Sequence, residues 1–85
     1  MWFLFAQRDA KNPLHALNPT FDPAEFPKPV AVGDRFEFMI LGKRTKCIVI
    51  EVSQDPATLA DLNRQLQLKG SHAIDAVVIW MEDQK

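Results

Sequence analysis

The sequence predicts a small α+β domain, in which a curved sheet or partly open small β-barrel of about four strands carries one helix between its third and fourth strands. Three observations lead to this class. Apolar residues alternate along residues 35–41, β-branched residues dominate residues 47–52, and leucines recur at helical spacing from Leu59 to Leu66. A chain of 85 residues can bury one core without disulfides or metals. We therefore expect a single domain over residues 1–85.

The first strand is expected near the N-terminus, where Trp2, Leu4 and Ala6 alternate with Phe3 and Phe5. An aromatic strand would be an aggregation hazard as a free end, so it must be paired within the sheet. The stretch lacks the basic region and cleavage site of a signal peptide, and no apolar run reaches the roughly 18 residues that span a bilayer. Together with a single cysteine, these features lead us to expect a cytoplasmic protein without a membrane partner.

Residues 8–29 contain five of the six prolines, which argues against a regular strand or a long helix. Apolar residues nevertheless recur through this proline-rich segment and indicate an ordered, irregular cover over one face of the sheet. Two interpretations stay open, because the segment either only closes the core or also forms a binding surface. A protein interface built on it would use Leu14, Leu17, Phe21 and Phe26, together with Trp80.

Residues 30–53 predict a central antiparallel hairpin around which the sheet is built. Its second strand is apolar on both faces, which places it inside the sheet and buries Cys47. We favour a loop over residues 42–44, which sets three pairs opposite each other: Phe36 with Ile50, Phe38 with Ile48, and Arg35 with Glu51. A turn of only Gly42 and Lys43 is the alternative, and it gives different pairs: Arg35 with Ile50, and Glu37 with Ile48.

A helix is expected over residues 55–69. Asp55 can cap its first turn, Pro56 suits the first helical position, and Gly70 suits the stop. Residues 73–81 form the last strand, with Ile74, Ala76, Val78 and Trp80 predicted on one face. Since a helix joins this strand to the preceding one, the two strands are expected to run parallel through a right-handed crossover.

Charge and reactive side chains argue against several functions. Ten basic and eleven acidic residues give a net charge of -1, so no molecule-wide positive field attracts nucleic acid. His15, His72 and Cys47 show no spacing typical of a zinc site. Nothing resembles a catalytic constellation or a phosphate-binding glycine loop. We therefore predict no enzyme activity, no catalytic residues, no metal site and no cofactor.

Residues 32–38, Val-Gly-Asp-Arg-Phe-Glu-Phe, are followed by a glycine turn, the strand 48–52 and a short helix, and this run resembles the barrel strands of the PUA and ASCH superfamily. The resemblance implies a compact β-barrel and, in many members, recognition of RNA or nucleotides. ASCH domains usually place a glycine, lysine and glutamate-arginine pattern ahead of the barrel, and residues 8–29 lack it. We therefore carry over the fold and no ligand-binding residue.

From sequence, the favoured function is a non-enzymatic binding module that recognises another protein or a second copy of itself. The proline-rich segment, an exposed sheet edge or a homodimer contact would supply the surface. The alternative is nucleic-acid binding through a basic hairpin tip made of Lys43, Arg44 and Lys46. A small-molecule pocket lined by Trp2 and Trp80 is the third and least favoured hypothesis.

Overall fold

A computed structural model of the chain describes residues 1–8 and 17–83, with all their side chains except that of Asn18. The fold is mixed α+β, with one helix packed on a curled, half-barrel sheet, and it agrees with the predicted fold class. In chain order the elements are β1 Trp2–Arg8, β2 Leu17–Pro19, β3 Ala24–Glu25, β4 Arg35–Ile40, β5 Lys43–Ser53, α1 Pro56–Leu68 and β6 Ala76–Glu82.

The strands lie in the order β2-β1-β6-β5-β4, and β3 pairs with β1 beside β2. Strand β6 runs parallel to β1 and antiparallel to β5, so it is interior to the sheet as predicted. The expected parallel crossover between β5 and β6 is wrong. After α1 the chain doubles back, and Asn63 in the middle of the helix binds both backbone groups of Ile74. This return along the helix lets β6 run antiparallel to β5.

The hairpin turn consists of Leu41 and Gly42, with φ angles of 52° and 76°. Two central residues with positive φ are typical of a type I′ turn, whose twist matches that of the flanking strands. Strand β5 therefore begins at Lys43, and the turn itself carries no charge. The register follows from this turn: Ile40 opposite Lys43, Phe38 opposite Thr45, Phe36 opposite Cys47, and Arg35 opposite Ile48.

Both predicted hairpin registers are wrong, because each placed the turn at Gly42 and the residues after it. A leucine rarely adopts positive φ, so sequence favours the glycine as the first turn residue. A β-bulge in β5 also changes the position of Ile50, which we expected opposite Phe36. Val49 lies opposite Trp80 and Glu51 opposite Ile79, which leaves Ile50 as the extra, exposed residue.

All six phenylalanines of the chain contribute to one core cluster on the concave, inner face of the sheet. Phe5 of β1 contacts the rings of Phe36 and Phe38, which lie three strands away on β4, at centroid distances of 5.5 and 5.2 Å. The sheet must curl for these rings to meet. Phe21 and Phe26 of the proline-rich segment complete the cluster against Phe38 and Phe36, respectively.

The helix packs on the convex, outer face of β1 and β6. Its predicted leucine stripe is confirmed as a core face, with Leu66 buried and Leu59 and Leu62 packed beside it. Asp55 caps the first turn by accepting a 3.0 Å hydrogen bond from the Thr58 amide. Ile74, which we expected on the same face as Ala76, Val78 and Trp80, instead packs under the helix, because the strand begins only at Ala76.

The described part of the proline-rich segment is ordered and covers the inner core, as expected, but it also contains β2 and β3. The expectation that no regular strand forms there is therefore corrected. Both strands are short and pair antiparallel with β1. Pro19 is tolerated because β2 is an edge strand, where a missing amide need not cost a ladder hydrogen bond.

Candidate interaction surface

Strand β4 is an edge of the sheet, since among the described residues it pairs only with β5. The two-residue turn makes Ile40 and Lys43 a hydrogen-bonded pair, and bonded pairs then recur at every second residue. Arg35, Glu37 and Met39 lie between them, so their amide and carbonyl groups point away from β5. Outside the β4–β5 ladder, no backbone hydrogen bond within residues 1–8 and 17–83 reaches these groups. This β4 edge therefore offers free donors and acceptors to another strand.

The outer face of β4 and β5 is the second part of the surface, because α1 packs on β1 and β6 instead. We call it the open face. Its side chains follow from the register: Arg35, Glu37 and Met39 of β4, and Arg44, Lys46 and Ile48 of β5, with Met81 of β6 opposite Ile48. Met39 and Met81 are 67% and 49% exposed, and the bulge residue Ile50 is 45% exposed.

Ion pairs balance the charges of the open face. Arg44 Nε lies 3.0 Å from Glu37 Oε1, and Arg35 Nε lies 3.0 Å from Asp83 Oδ2. Surface pairs of this kind each contribute little to folding stability. They do neutralise two arginines and hold their side chains along the sheet. The face thus combines exposed methionines with charges of both signs.

The predicted basic hairpin tip is divided between the two faces of the sheet. Lys43, Arg44 and Lys46 lie in β5, not in the turn. Lys43 is opposite Ile40 and points to the inner side, whereas Arg44 and Lys46 point to the outer side. Because Arg44 is also paired with Glu37, the three cations do not form one positive cluster.

The residues proposed for a protein interface lie mainly in the core. Leu14 falls outside the described residues. Leu17 is half-buried beside the helix-side core, and Phe21 and Phe26 are half-buried in the phenylalanine cluster. Trp80 is only 5% exposed, and its indole N–H donates a 2.8 Å hydrogen bond to Thr20 Oγ1.

The two tryptophans proposed to line a pocket have different surroundings. Trp2 stacks on His72, with ring centroids 4.0 Å apart, whereas Trp80 belongs to the inner core. The phenylalanine cluster occupies the concave interior between the strands, and Trp80 packs within it.

A groove with a volume of about 380 Å³ lies between the helix and the chain that follows β2. Its walls are apolar, with Leu4, Phe21, Leu62 and Leu66 among its residues. The lining also includes Asp22 and Lys69, one charge of each sign. These charges do not favour an acidic ligand over a basic one.

Cys47 is the single cysteine of the chain, and we expected it to be buried. Cys47 is fully buried. Burial, followed by the nearby carboxylate of Glu82, raises the pKa of its thiol and makes it a poor nucleophile at neutral pH. Residues 1–8 and 17–83 contain no group of three His, Cys, Asp or Glu side chains arranged to hold a metal ion.

The sequence did not single out Arg35 and Glu37 as surface residues with a role. A signal was nevertheless present: one helix of about four turns was predicted to cover a sheet of four strands. A helix is about 10 Å wide and strands are about 4.8 Å apart, so it covers two strands and leaves the others open on one face.

Comparisons with known proteins give no family for this chain. No protein-family model, curated protein or solved structure matches it. Within the described residues, no helix combines the length and apolarity needed to cross a membrane.

Proposed function

We propose that this domain is a non-enzymatic protein-binding module whose partner adds a β-strand to the β4 edge and contacts the open face. The observation that carries the proposal is that the same residues of β4 have both free backbone groups and exposed side chains. The backbone groups of Arg35, Glu37 and Met39 are free, and the side chains of the same residues are exposed. Strand addition uses both, since the backbone supplies affinity and alternate side chains supply specificity.

The design of the edge supports this function. Sheet edges are usually protected by prolines, by charged side chains and lysine above all, by bulges or by covering loops. Strand β4, Arg-Phe-Glu-Phe-Met-Ile, contains no proline, lysine or glycine, is regular over six residues, and carries two charges of opposite sign that can pair with an incoming strand. The bulge of this region lies on β5 facing β6, away from the edge. An edge of this kind is suited to pairing.

The composition of the open face favours a protein partner over nucleic acid. Exposed methionines suit adaptable protein contacts. The two arginines of the face are each paired with a carboxylate, which lowers the net positive charge that the face presents to phosphates. The alternative function, nucleic-acid binding through Lys43, Arg44 and Lys46, would need residues that lie on different faces to act together.

The test compares Glu37→Pro with Glu37→Gln in capture of partners from a nuclease-treated lysate. The proline removes an amide that points away from β5, so the hairpin ladder stays intact while strand addition is blocked. The glutamine variant removes the same charge and keeps the amide. Captured proteins are then purified and titrated against each variant.

We expect Glu37→Pro to weaken binding of the captured partner at least roughly tenfold more than Glu37→Gln, because one strand hydrogen bond is lost, its acceptor on the partner is left unsatisfied, and the proline ring obstructs the incoming strand. Equal binding by the two variants would reject strand addition. Material that is captured only without nuclease would favour nucleic-acid binding. Thermal unfolding of both variants checks that the fold is retained.

A further inference from the structure

We infer that the β4 edge binds a second copy of this chain, through antiparallel β4–β4 pairing around a two-fold axis at Phe36. This inference rests on the proposed function of the edge and names its partner. The contact is isologous, so the same residues must be complementary to themselves when the strand is reversed.

The charges of β4 meet that requirement. With the axis at Phe36, Arg35 lies opposite the partner's Glu37, and Glu37 lies opposite the partner's Arg35. Opposite charges at directly facing positions stabilise antiparallel strands, whereas like charges destabilise them. Both residues have outward backbone groups, so each facing pair exchanges two hydrogen bonds.

Neighbouring symmetric registers are less complementary. An axis at Glu37 makes more backbone hydrogen bonds, but it sets two Glu37 carboxylates directly opposite each other. An axis at Phe38 sets Glu37 opposite the partner's Met39 and Arg35 opposite the exposed turn residue Leu41. Among these three registers, only the axis at Phe36 matches charge with opposite charge.

Ion pairs within each copy prepare the two side chains for this contact. Asp83 holds Arg35, and Arg44 holds Glu37, each at 3.0 Å. In the pair of copies, charges then alternate along a row: Asp83, Arg35, the partner's Glu37 and the partner's Arg44. An open depression of about 240 Å³ lies beside Arg35 and Glu37, with Lys46 and Asp83 in its lining.

Phe36 supplies an apolar centre on the other face. At the axis it faces the partner's Phe36 as a non-hydrogen-bonded pair, the kind that brings facing side chains closest. Phe36 is only half-buried in one copy and already packs against Phe5, Phe26 and Phe38. Pairing would extend the phenylalanine cluster across the interface.

The experiment is sedimentation equilibrium of the purified chain and of two charge variants, Arg35→Glu and Glu37→Arg. Each variant alone places like charges at both facing positions, so we expect each to weaken dimerisation by roughly tenfold or more. An equimolar mixture restores both opposite-charge pairs across the axis, so we expect the heterodimer to be tighter than either variant's homodimer but weaker than the wild-type dimer, because the pairs of Arg35 with Asp83 and of Glu37 with Arg44 are lost. Thermal unfolding checks that both variants fold.

The outcomes separate the register, the partner and the proposed function. A wild-type chain that stays monomeric at millimolar concentration overturns the second copy as partner, while the lysate experiment decides independently whether the edge binds another protein. A wild-type dimer that Arg35→Glu leaves unchanged overturns the axis at Phe36. A dimer that persists in Glu37→Pro shows that the two copies meet elsewhere and overturns β4–β4 pairing, while the proposed binding of another protein at the edge is still decided by the lysate experiment.

Discussion

The two halves of the sheet differ in how many of their faces are covered. Strands β1 and β6 lie between the phenylalanine cluster and the helix, and four residues of β1 and five of β6 are buried consecutively. Strand β4 instead alternates between exposed and half-buried residues. The comparison shows that one helix stabilises only half of this sheet. The covered half contains most of the buried residues, and the open half is the one for which we propose binding.

The largest difference between the halves should appear on truncating one apolar residue in each. Phe5→Ala removes a ring with 0% exposure that contacts four other phenylalanine rings, and we expect a loss of about 3–5 kcal/mol in unfolding free energy. Met39→Ala on the open face should change it by less than about 0.5 kcal/mol. Urea unfolding measures both. Comparable losses would show that the open half is as tightly packed as the covered half.

A smaller loss of unfolding free energy is expected when the contact between Asn63 of the helix and Ile74 is removed. The Asn63 amide donates to the Ile74 carbonyl at 3.2 Å, and its Oδ1 accepts from the Ile74 amide at 2.7 Å. Asn63→Ala leaves both backbone groups without this partner and should cost about 1–3 kcal/mol of unfolding free energy. Gln67→Ala, at an exposed position of the same helix, is the control and should be nearly neutral. A neutral Asn63→Ala would mean that the clamp is not needed for the antiparallel return.

A substitution in the hairpin turn of the open half should increase the stability of the fold. Leu41 has a φ of 52°, which is strained for leucine, and its side chain is fully exposed. Leu41→Asn creates the Asn-Gly sequence that type I′ turns prefer, so we expect a gain of about 1 kcal/mol in unfolding free energy. The control Leu68→Asn, at an exposed helical position, should gain nothing. Equal effects at the two positions would attribute the gain to lost surface hydrophobicity instead of turn geometry.

The smallest effect concerns pH and the start of the helix. Hydrogen bonds from the Thr58 hydroxyl and amide lower the pKa of Asp55 from its ordinary value of 3.8. A lowered pKa in the folded state means that the stabilisation is complete above the unfolded pKa and is lost as the pH falls through the folded one. Asp55→Asn keeps a capping side chain but does not titrate, so its stability should fall less steeply with acid below pH 3.8. Parallel pH curves for the two proteins would contradict this assignment.

Local features of the fold could be predicted from the sequence, and features set by distant packing could not. The Asp55 cap, Pro56 and the leucine stripe specify the helix through neighbouring residues alone. The direction of β6 depends on Asn63 reaching Ile74, eleven residues away, which no local pattern indicates. The predicted hairpin register was wrong for a related reason. The sheet holds Leu41 at a positive φ, which leucine rarely adopts on its own.

The interaction surface was less predictable than the fold. The sequence shows Arg35 and Glu37 on the polar face of a strand, but it does not show that this strand ends the sheet. That property depends on the strand order β2-β1-β6-β5-β4, which places β1 next to β6 through contacts more than 70 residues apart. The basic tip was predicted from three neighbouring cations, and the shifted turn divides them between two faces.

The most direct test of the account is amide hydrogen exchange by NMR at increasing protein concentration. In single copies the amides of Arg35 and Glu37 should exchange quickly, because they point away from β5, while those of β6 stay protected. At concentrations where the chain associates, we expect the Arg35 and Glu37 amides to become protected and the exposed amides of α1's first turn to stay unchanged. Protection that does not change while the chain associates would contradict pairing at the β4 edge.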